Sequence, residues 1–347
     1  MTDIARTAGV SQSTVSNILG SNKIASFPPE TVDKVRAVAA ELGYSPRKQS
    51  AKRKAPDSKR ILVLSTRMTN PYYPFVLQSI EQEAQKNGLY VVCADTYHSA
   101  ALEENYLKMA LELNFLAVIY LFPPDNLTVL EQVLNYIPII TICDTVADSK
   151  ADQVALNNFQ SGRLAAGHLI SLGHKRIVML TTPLETSLSR RTRAQGVKSM
   201  IDETPSCSLQ IISGEVSING DSSINLDYSS GYRLAQDPEL IRGGATAIIA
   251  VNDMLAIGAM DALLEQGFRV PEDYSIIGFD NLLYTGLERI SLTTVDPHAD
   301  MLAQSAMDVL LHRLNILMPD SLVSHMRFKA ECQPRLIVRH STAKIEQ

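Results

Sequence analysis

The first 44 residues carry apolar positions at helical spacing in three short stretches. Gly9 follows the first stretch and can adopt the left-handed conformation that ends a helix. Ser11 then stands at an N-cap position, and Val10 and Val15 are spaced to pack around it as a hydrophobic staple. The pattern therefore predicts a helix-turn-helix unit. Its predicted helices are residues 3–8, 11–19 and 28–43.

Apolar residues nearly vanish between positions 45 and 60, where Pro46 and Pro56 interrupt the chain. Seven of the positions from 47 to 60 are Lys or Arg. Because such a composition cannot build a core, this segment is predicted to be a linker. Two roles stay open for it: a solvated tether, or a hinge that contacts DNA.

From residue 61 onward, strand-like apolar runs alternate with helical segments. The runs are apolar throughout, which is typical of parallel strands covered by helices on both faces. The eight predicted strands are residues 61–64, 89–94, 117–121, 139–143, 177–180, 209–212, 247–251 and 275–279. Their number suits two sheets facing each other across a cleft. The predicted fold class is therefore a small all-α head plus an α/β core of two parallel-sheet lobes.

Polar side chains collect at the carboxyl ends of these predicted strands, where parallel sheets form ligand crevices. They are Ser65, Asn70, Asp95, Asp144, Asn252, Asp253, Asp280 and Asn281. The sequence thus predicts a polar binding site at the mouth of the cleft.

The charge is distributed unevenly along the chain, although the whole protein carries a net charge of only −5. Residues 1–60 contain 11 Lys and Arg against 5 Asp and Glu, whereas the remainder contains 21 against 32. A basic head on an acidic body suggests that the head binds a polyanion.

Other classes of protein are disfavoured by the sequence. The longest apolar run, residues 115–122, is far shorter than the ~18 residues that span a bilayer, and no secretion signal is recognisable at the start. The four cysteines are scattered without paired spacing, so reduced thiols are expected. These cysteines are Cys93, Cys143, Cys207 and Cys332. We therefore expect a cytoplasmic protein without a membrane role, and no motif calls for a cofactor.

Several motifs in one order resemble the lactose-repressor (LacI/GalR) family of bacterial regulators, over nearly the whole chain. The head reads DIARTAGVSQSTVSNIL at 3–19 and ETVDKVRAVAAELGYSP at 30–46. The body reads NPYYPFVLQSIEQEA at 70–84, GHLISLGHKRIVML at 167–180, VNDMLAIGAMDALLEQGFRVPEDYSIIGFDN at 251–281, LTTV at 292–295 and LIVRHST at 336–342.

This resemblance implies a three-part organisation with a core similar to periplasmic sugar-binding proteins. The parts are a helix-turn-helix head at 1–44, a basic hinge at 45–60 and a two-lobed effector-binding and dimerisation domain at 61–347. Lobe 1 is expected at about 61–157 and 285–320, and lobe 2 at about 158–284 and 321–343, joined by three crossovers. Family members act as homodimers, and no leucine heptad follows Ser341 to form a tetramer.

For the head, the resemblance implies that the second helix lies in the major groove of operator DNA. Gln12, Ser13 and Asn17 are expected to read bases, and Ser11, Thr14 and Ser16 to position phosphates. The alternative is that these are solvated polar side chains. Many relatives carry Arg where this chain has Asn17, and Asn favours adenine where Arg favours guanine.

In the hinge, Arg47, Lys52 and Arg53 are expected to contact DNA. Arg53 stands where relatives place a leucine that wedges into the minor groove. Because an arginine can enter a narrow groove without unstacking bases, the leucine-lever mechanism is in doubt for this chain.

For the cleft, the resemblance transfers an effector-binding set that combines carboxylate, amide, guanidinium and aromatic groups. It is Asn70, Tyr72, Asp144, Arg193, Asn252 and Asp280. Simpler roles stay open: Asn70 can start a turn before Pro71, Asp253 can cap the following helix, and Asp280 can cap a loop. His168 and His174 are expected to be packing or capping groups, because no cluster has metal-ligand spacing.

The function expected from these features is a DNA-binding transcriptional regulator, acting as a repressor, whose operator affinity is set by a small effector between the lobes. The resemblance implies a sugar or sugar derivative, with a nucleobase or nucleoside as the alternative. Two other classes stay open, a sugar-processing enzyme and a ligand-binding protein without DNA regulation. No phosphate-loop, dinucleotide or hydrolase motif supports the enzyme.

Overall fold

The computed structural model describes residues 2–20, 27–41, 59–143, 146, 149–214, 226–316 and 327–345. The chain divides into two compact units, Met1–Asp57 and Ser58–Gln347. The first is the head and the second is the core.

The head is helical where it is described. Its helices are α1 (Thr2–Ala8), α2 (Gln12–Gly20) and α3 (Pro29–Glu41). Gly9 has a φ of +68° and ends α1, and Ser11 Oγ accepts the Thr14 backbone N–H at 3.0 Å to cap α2, both as predicted. A small apolar core packs the three helices, with Val15 and Val35 fully buried at its centre.

The core contains two six-stranded sheets. The strands of lobe 1 are β1 (Arg60–Ser65), β2 (Tyr90–Asp95), β3 (Ala117–Tyr120), β4 (Ile139–Ile142), β5 (Asp152–Leu156) and β11 (Lys329–Cys332). Those of lobe 2 are β6 (Arg176–Thr181), β7 (Ser208–Ser213), β8 (Ala247–Ala250), β9 (Ser275–Phe279), β10 (Thr293–Asp296) and β12 (Arg335–Ile337). The orders are β11-β5-β4-β3-β1-β2 and β12-β10-β9-β8-β6-β7. The pairs are parallel except β10 with β12, which confirms the predicted α/β core.

Helices cover both faces of each sheet. They are α4 (Tyr72–Lys86), α5 (Ala100–Glu112), α6 (Leu127–Leu134), α7 (Asn158–Ser171), α8 (Leu188–Asp202), α9 (Leu226–Leu234), α10 (Pro238–Arg242), α11 (Asp253–Glu265) and α12 (Ala299–Ile316). Side-chain oxygens cap many of their first turns, for example Ser99 on α5, Asn126 on α6 and Asn157 on α7. These caps satisfy backbone N–H groups that have no partner within the helix.

All eight apolar runs form strands, as predicted. Burial on both faces holds for the inner strands, whereas β2 and β7 are partly exposed because they lie at the sheet edges. The sequence missed four strands, β5, β10, β11 and β12, which are short and carry polar residues.

Two missed strands correct the expected lobe boundaries. Residues 285–320 were expected in lobe 1, but β10 pairs with β9 and belongs to lobe 2. Residues 321–343 were expected in lobe 2, but β11 pairs with β5 and belongs to lobe 1. The last two crossovers therefore follow β10 and β11. A bidentate pair from Arg313 on α12 to buried Asp152 on β5, at 2.6 and 2.7 Å, fixes the returning helix on lobe 1.

Candidate functional site

The strand order of each lobe marks where a ligand crevice lies. In lobe 1 the chain passes from β1 to β2 on one side and then to β3 on the other, and in lobe 2 from β6 to β7 and then to β8. Loops that leave neighbouring strands at such a reversal diverge beyond the carboxyl ends and open a crevice. Thr66 and Phe122 come after β1 and β3, and Thr182 and Asn252 come after β6 and β8.

One carboxylate at these strand ends gathers donors from both lobes. Asp227, in the first turn of α9, accepts hydrogen bonds from Arg190 Nη2 at 2.9 Å, Asn252 Nδ2 at 2.9 Å and Asn70 Nδ2 at 3.2 Å. Arg190 on α8 also donates to the Thr182 hydroxyl. Asn70 belongs to lobe 1 and the others to lobe 2, so this cluster spans the cleft.

The backbone holds both asparagine side chains in one orientation. Asn252 Oδ1 caps α11 by accepting the Leu255 N–H at 2.9 Å. Asn70 Oδ1 accepts the Tyr72 N–H at 3.0 Å. Since each amide oxygen already has a partner, each Nδ2 is left to donate toward Asp227.

Arg193 forms the second charged centre of the cleft and is 9% exposed. Its Nε donates to Asn158 Oδ1 at 2.7 Å and its Nη1 to the Val251 carbonyl at 2.8 Å. Its guanidinium lies 4.9 Å from the centre of the Phe279 ring, a cation–π arrangement. Asp280 completes the centre, with Oδ1 3.6 Å from Arg193 Nη2.

Asp280 is a buried carboxylate on strained backbone. It is 6% exposed and has a φ of +111°, a region that side-chain-bearing residues rarely adopt. Burial raises the pKa of Asp280 to about 6, because the charge of nearby Asp227 adds to desolvation while Arg193 and Arg190 oppose it. The cleft can therefore change its own charge near neutral pH.

Asp253 supports this loop from behind and does not cap α11 as the sequence suggested; Asn252 is the cap. Asp253 is fully buried, where its Oδ1 accepts the Thr294 hydroxyl at 2.6 Å and its Oδ2 the Leu282 N–H at 2.9 Å. Burial and the charge of Asp280 raise its pKa well above the usual range. Asp253 is therefore a positioning residue for the loop that carries Asp280.

Lobe 1 contributes aromatic side chains to the cleft. Tyr73 lies within the electrostatic reach of Arg190, Asp227 and Asp280, and burial raises its pKa while a hydrogen bond with Thr66 lowers it. Tyr72, the residue predicted from the sequence, and Tyr73 both pack against the apolar cluster of lobe 1, with their ring centres 5.6 Å apart. Of the two, Tyr73 has the charged groups of the cleft among the causes of its pKa shift.

Phe122 lies behind this wall, buried in the apolar core of lobe 1, and His98 packs against it. Their ring centres are 6.4 Å apart in an edge-on arrangement. Burial lowers the pKa of His98, and the charges of Arg67 and Arg190 add to that effect while Asp125 opposes it. Phe122 therefore supports His98 from the core of lobe 1 and is not part of the cleft surface.

Close helix packing brings the lobe 2 side chains together. A Cβ added to Gly162 on α7 would overlap the Arg193 carbonyl and lie 2.8 Å from Val197 N. A Cβ on Gly196 of α8 would overlap the Phe159 carbonyl in the same way. The two helices can approach this closely only because both positions lack a side chain. That approach sets Arg193 against Asn158.

The described head residues present a polar surface at the start of α2. Ser11, Gln12 and Ser13 are exposed and Thr14 is half-buried. Ser11 Oγ also hydrogen bonds with the Ser13 and Thr14 hydroxyls, at 2.7 and 2.8 Å. Ser16 and Asn17 lie within α2, but their side chains fall outside the described part of the structure, as do Arg47, Lys52 and Arg53 of the hinge.

Among the predicted effector residues, the structure brings Asn70, Arg193, Asn252 and Asp280 to one cleft, and Asp144 lies outside the described residues. The sequence missed Arg190, Asp227 and Tyr73. Two signals were available: an acidic residue in the first turn of α9, and adjacent arginines on α8 next to the predicted Arg193.

The two histidines considered in the sequence make ordinary hydrogen bonds. His168 Nε2 pairs with the Thr342 hydroxyl at 3.0 Å, and His174 contacts Thr246 and the Ala343 carbonyl. The four cysteines are free thiols, as predicted. Within the described ranges, no three His, Cys, Asp or Glu side chains are grouped to hold a metal ion. None of the described helices combines the length and apolar character that crossing a membrane requires.

Comparison with known protein families assigns both units. Residues 1–47 match the family model of bacterial regulatory proteins of the lacI family, and residues 166–342 match the periplasmic binding protein-like domain. The HTH-type transcriptional repressor PurR of Mannheimia succiniciproducens is 28% identical over 346 residues, which cover 99% of this chain and 98% of that protein.

Solved structures agree with this assignment. A LacI family transcriptional regulator from Enterococcus faecium with bound ribose has a TM-score of 0.70 and 26% identity, covering 83% of this chain and 100% of that one. The lac repressor dimer bound to operator and the anti-inducer ONPF has a TM-score of 0.68 and 24% identity, covering 98% of each chain, and shows a likeness of fold. With the periplasmic binding protein-like match spanning half of the sequence and the lacI match on its head, this chain belongs to the LacI/GalR family of transcriptional regulators.

Proposed function

We propose that this DNA-binding repressor is controlled by a neutral polyhydroxylated effector, a sugar or sugar derivative, bound between the two lobes. The observation that carries the proposal is the balance of charge in the cleft. Arg190 and Arg193 are matched by Asp227 and Asp280, all at the strand ends of lobe 2. A balanced site has no net charge to attract an ion, but it offers both donors and acceptors.

Sugar hydroxyls both donate and accept hydrogen bonds, so they suit carboxylates beside guanidinium and amide groups. The ring of Tyr73 on the lobe 1 side can cover an apolar sugar face. The Enterococcus faecium relative with bound ribose supports this class. A nucleobase is the competing ligand, because the same ring can stack on a planar heterocycle. We assign the chain no enzymatic activity, since its cleft carboxylates are engaged by arginine and asparagine in a manner that suits recognition.

For operator binding, we propose that Gln12, Ser13 and Asn17 read bases while Ser11, Thr14 and Ser16 position phosphates. Arg47, Lys52 and Arg53 supply further phosphate contacts. The protein acts in the cytoplasm, where the operator DNA lies. Support comes from the exposed polar start of α2 and from the basic composition of residues 1–60. Asn17→Ala should relax preference at one base pair of each half-site, and equal weakening on every operator variant would contradict that role.

We further propose that the protein acts as a homodimer. Large apolar side chains are exposed close together in lobe 2: Leu283, Tyr284 and Leu287 are 83%, 46% and 54% exposed. Isolated exposed apolar residues are ordinary, but contiguous ones mark association surfaces. The lac repressor, similar in fold, was solved as a dimer on its operator. Sedimentation of the full chain with Leu283→Asp should show dissociation toward monomers.

The effector would act by shifting the population of lobe arrangements, and with it the affinity for the operator. The test is a thermal-shift panel of pentoses, hexoses, their derivatives and nucleobases, followed by operator titration with each hit. A ligand at a hundred times its Kd raises the free energy of unfolding by about 2.7 kcal/mol. A sugar that stabilises the protein and changes operator affinity supports the proposal. If only nucleobases stabilise the protein, its effector belongs to the competing class.

A further inference from the structure

The hydrogen bond between Asn70 and Asp227 joins the two lobes directly across the cleft. Asn70 precedes α4 of lobe 1, and Asp227 begins α9 of lobe 2, 157 residues later in the chain. We propose that Asp227 is a clasp: without effector, its carboxylate occupies donors that the effector uses later, and so it holds the lobes together until the effector displaces it. The proposal rests on the proposed function, because it assigns a role to a residue of the same cleft.

The first argument is the lack of space at this contact. Asn70 Nδ2 and Asp227 Oδ2 are 3.2 Å apart, which is direct contact. A hydroxyl group that accepts from one atom and donates to the other lies about 2.8 Å from each, with its two hydrogen bonds at a near-tetrahedral angle, so the two atoms have to separate to roughly 5 Å. The clasp and an effector bound to Asn70 therefore exclude each other at this point.

The second argument is that Asn70, Asn252 and Arg190 all bind Asp227 through N–H donors. The oxygens of Asn70 and Asn252 are already engaged by backbone N–H groups, and Arg190 has no acceptor to offer. The carboxylate thus occupies a group of N–H donors that can bind acceptor oxygens. An effector oxygen can take its place, whereas a group that only donates cannot.

The third argument is the strength of these bonds. The side chains of Arg190 and Asp227 are 21% and 11% exposed, so water screens their attraction only in part. Hydrogen bonds to an ionised acceptor are stronger than those between neutral groups. Three such bonds fix Asp227, and the one to Asn70 ties lobe 1 to this fixed point. The contact can therefore set the angle between the lobes in the absence of effector.

The experiment measures the distance between the lobes in the effector-free, full-length protein. Keto-bearing residues at the exposed positions Glu112 on α5 and Gln195 on α8 accept oxime spin labels and leave the native cysteines untouched. Labelled chains are diluted with excess unlabelled chain, so that double electron–electron resonance reports the distance within one chain. Circular dichroism confirms that each variant is folded.

Two variants weaken the clasp and one restores it. Asp227→Asn exchanges the charged acceptor for a neutral amide, and Asn70→Asp keeps the oxygen that caps Tyr72 while placing a second carboxylate against the first. Asn70→Asp should lengthen the mean distance by about 2 Å or more, the separation at which a water oxygen fits between the side chains, and Asp227→Asn should lengthen it by less, because its amide oxygen can still accept from Asn70. The double variant restores an amide–carboxylate pair with exchanged roles, so its distance should be shorter than that of Asn70→Asp alone.

Glu203→Gln is the matched control. It also converts a carboxylate to an amide beside an arginine, Arg163 at 2.5 Å, but both residues lie in lobe 2 and are solvent-accessible. Its distance distribution should match the wild type.

Folded Asp227→Asn and Asn70→Asp variants with the wild-type distance would overturn the clasp, as would a double variant no shorter than Asn70→Asp. Operator affinity, measured in parallel by fluorescence anisotropy, separates the two proposals. Lobes that open without any change in operator affinity support the clasp but contradict the proposed coupling of lobes to operator.

Discussion

Gly162 offers the sharpest test of how helix packing builds the effector cleft. Replacing it with alanine places a Cβ against backbone atoms of α8, the Arg193 carbonyl and the Val197 nitrogen at 2.8 Å. Carbon and oxygen atoms pack no closer than about 3.3 Å, so α7 and α8 must move apart by about 1 Å. Backbone atoms cannot rotate away as a flexible side chain can.

The magnitude follows from two opposing terms. Overpacking of this kind costs about 3 kcal/mol, the upper end of its range, because the clash is with backbone. Alanine recovers about 1 kcal/mol through its higher helix propensity. We therefore expect Gly162→Ala to lower the free energy of unfolding by about 2 kcal/mol, and to weaken effector binding by displacing Arg193.

The same helix provides a matched control. A Cβ on Gly167 of α7 would meet only Met200 Sδ at 3.8 Å, an ordinary contact. Gly167→Ala should therefore leave stability unchanged or raise it by up to about 1 kcal/mol. Urea unfolding of both full-length variants, followed by far-UV circular dichroism, measures the difference. Equal stabilities for the two variants would refute the close-approach argument.

Three further predictions concern the cleft, lobe 1 and the head. The folded-state pKa of Asp280 is about 6, above its unfolded value near 3.9, so the folded protein binds more protons than the unfolded chain between these pH values. The stability contributed by Asp280 therefore falls as the pH rises from one value to the other. The stability of Asp280→Asn relative to wild type should thus grow by about 2 kcal/mol from about pH 4 to 7; parallel unfolding curves would contradict the shift. Glu103→Ala removes the acceptor of hydrogen bonds from the Tyr120 hydroxyl and from two backbone N–H groups. It should lower the free energy of unfolding, measured in urea, by about 3 kcal/mol, whereas Tyr120→Phe should lower it by about 1 kcal/mol. Ser11→Ala removes the cap of α2 and should lower head stability by about 1 kcal/mol, seen as faster amide hydrogen exchange in α2; unchanged exchange would show that the cap is dispensable.

The fold was largely predictable because long apolar runs report burial directly. The inner strands β1, β3, β4, β6, β8 and β9 are buried along nearly their whole length, and each had a clear run. The four missed strands mix apolar and polar residues. In β5, Asp152 is buried because Arg313 of α12 neutralises it, and that partner is 161 residues away. A local pattern cannot show such a pairing, and the lobe boundaries were misplaced for the same reason.

The site was predictable in part. Asn252 and Asp280 follow predicted strands, and parallel topology obliges such residues to meet at one sheet edge. Asp227 lies in the first turn of α9, where an acidic residue is common because it complements the helix dipole. Its position there, and the place of Arg190 beside the predicted Arg193, are weak signals that by themselves do not show which charges meet.

The sequence by itself determined the elements: three head helices, eight apolar strands and the polar residues that end them, because hydrophobic periodicity and capping act over a few residues. Only the tertiary structure decided which charges meet. Glycine contacts set how closely α7 and α8 approach, and a bond between residues 70 and 227 connects lobes whose sequences are remote. Such contacts depend on how whole elements pack, and packing is a property of the folded chain and not of any one segment.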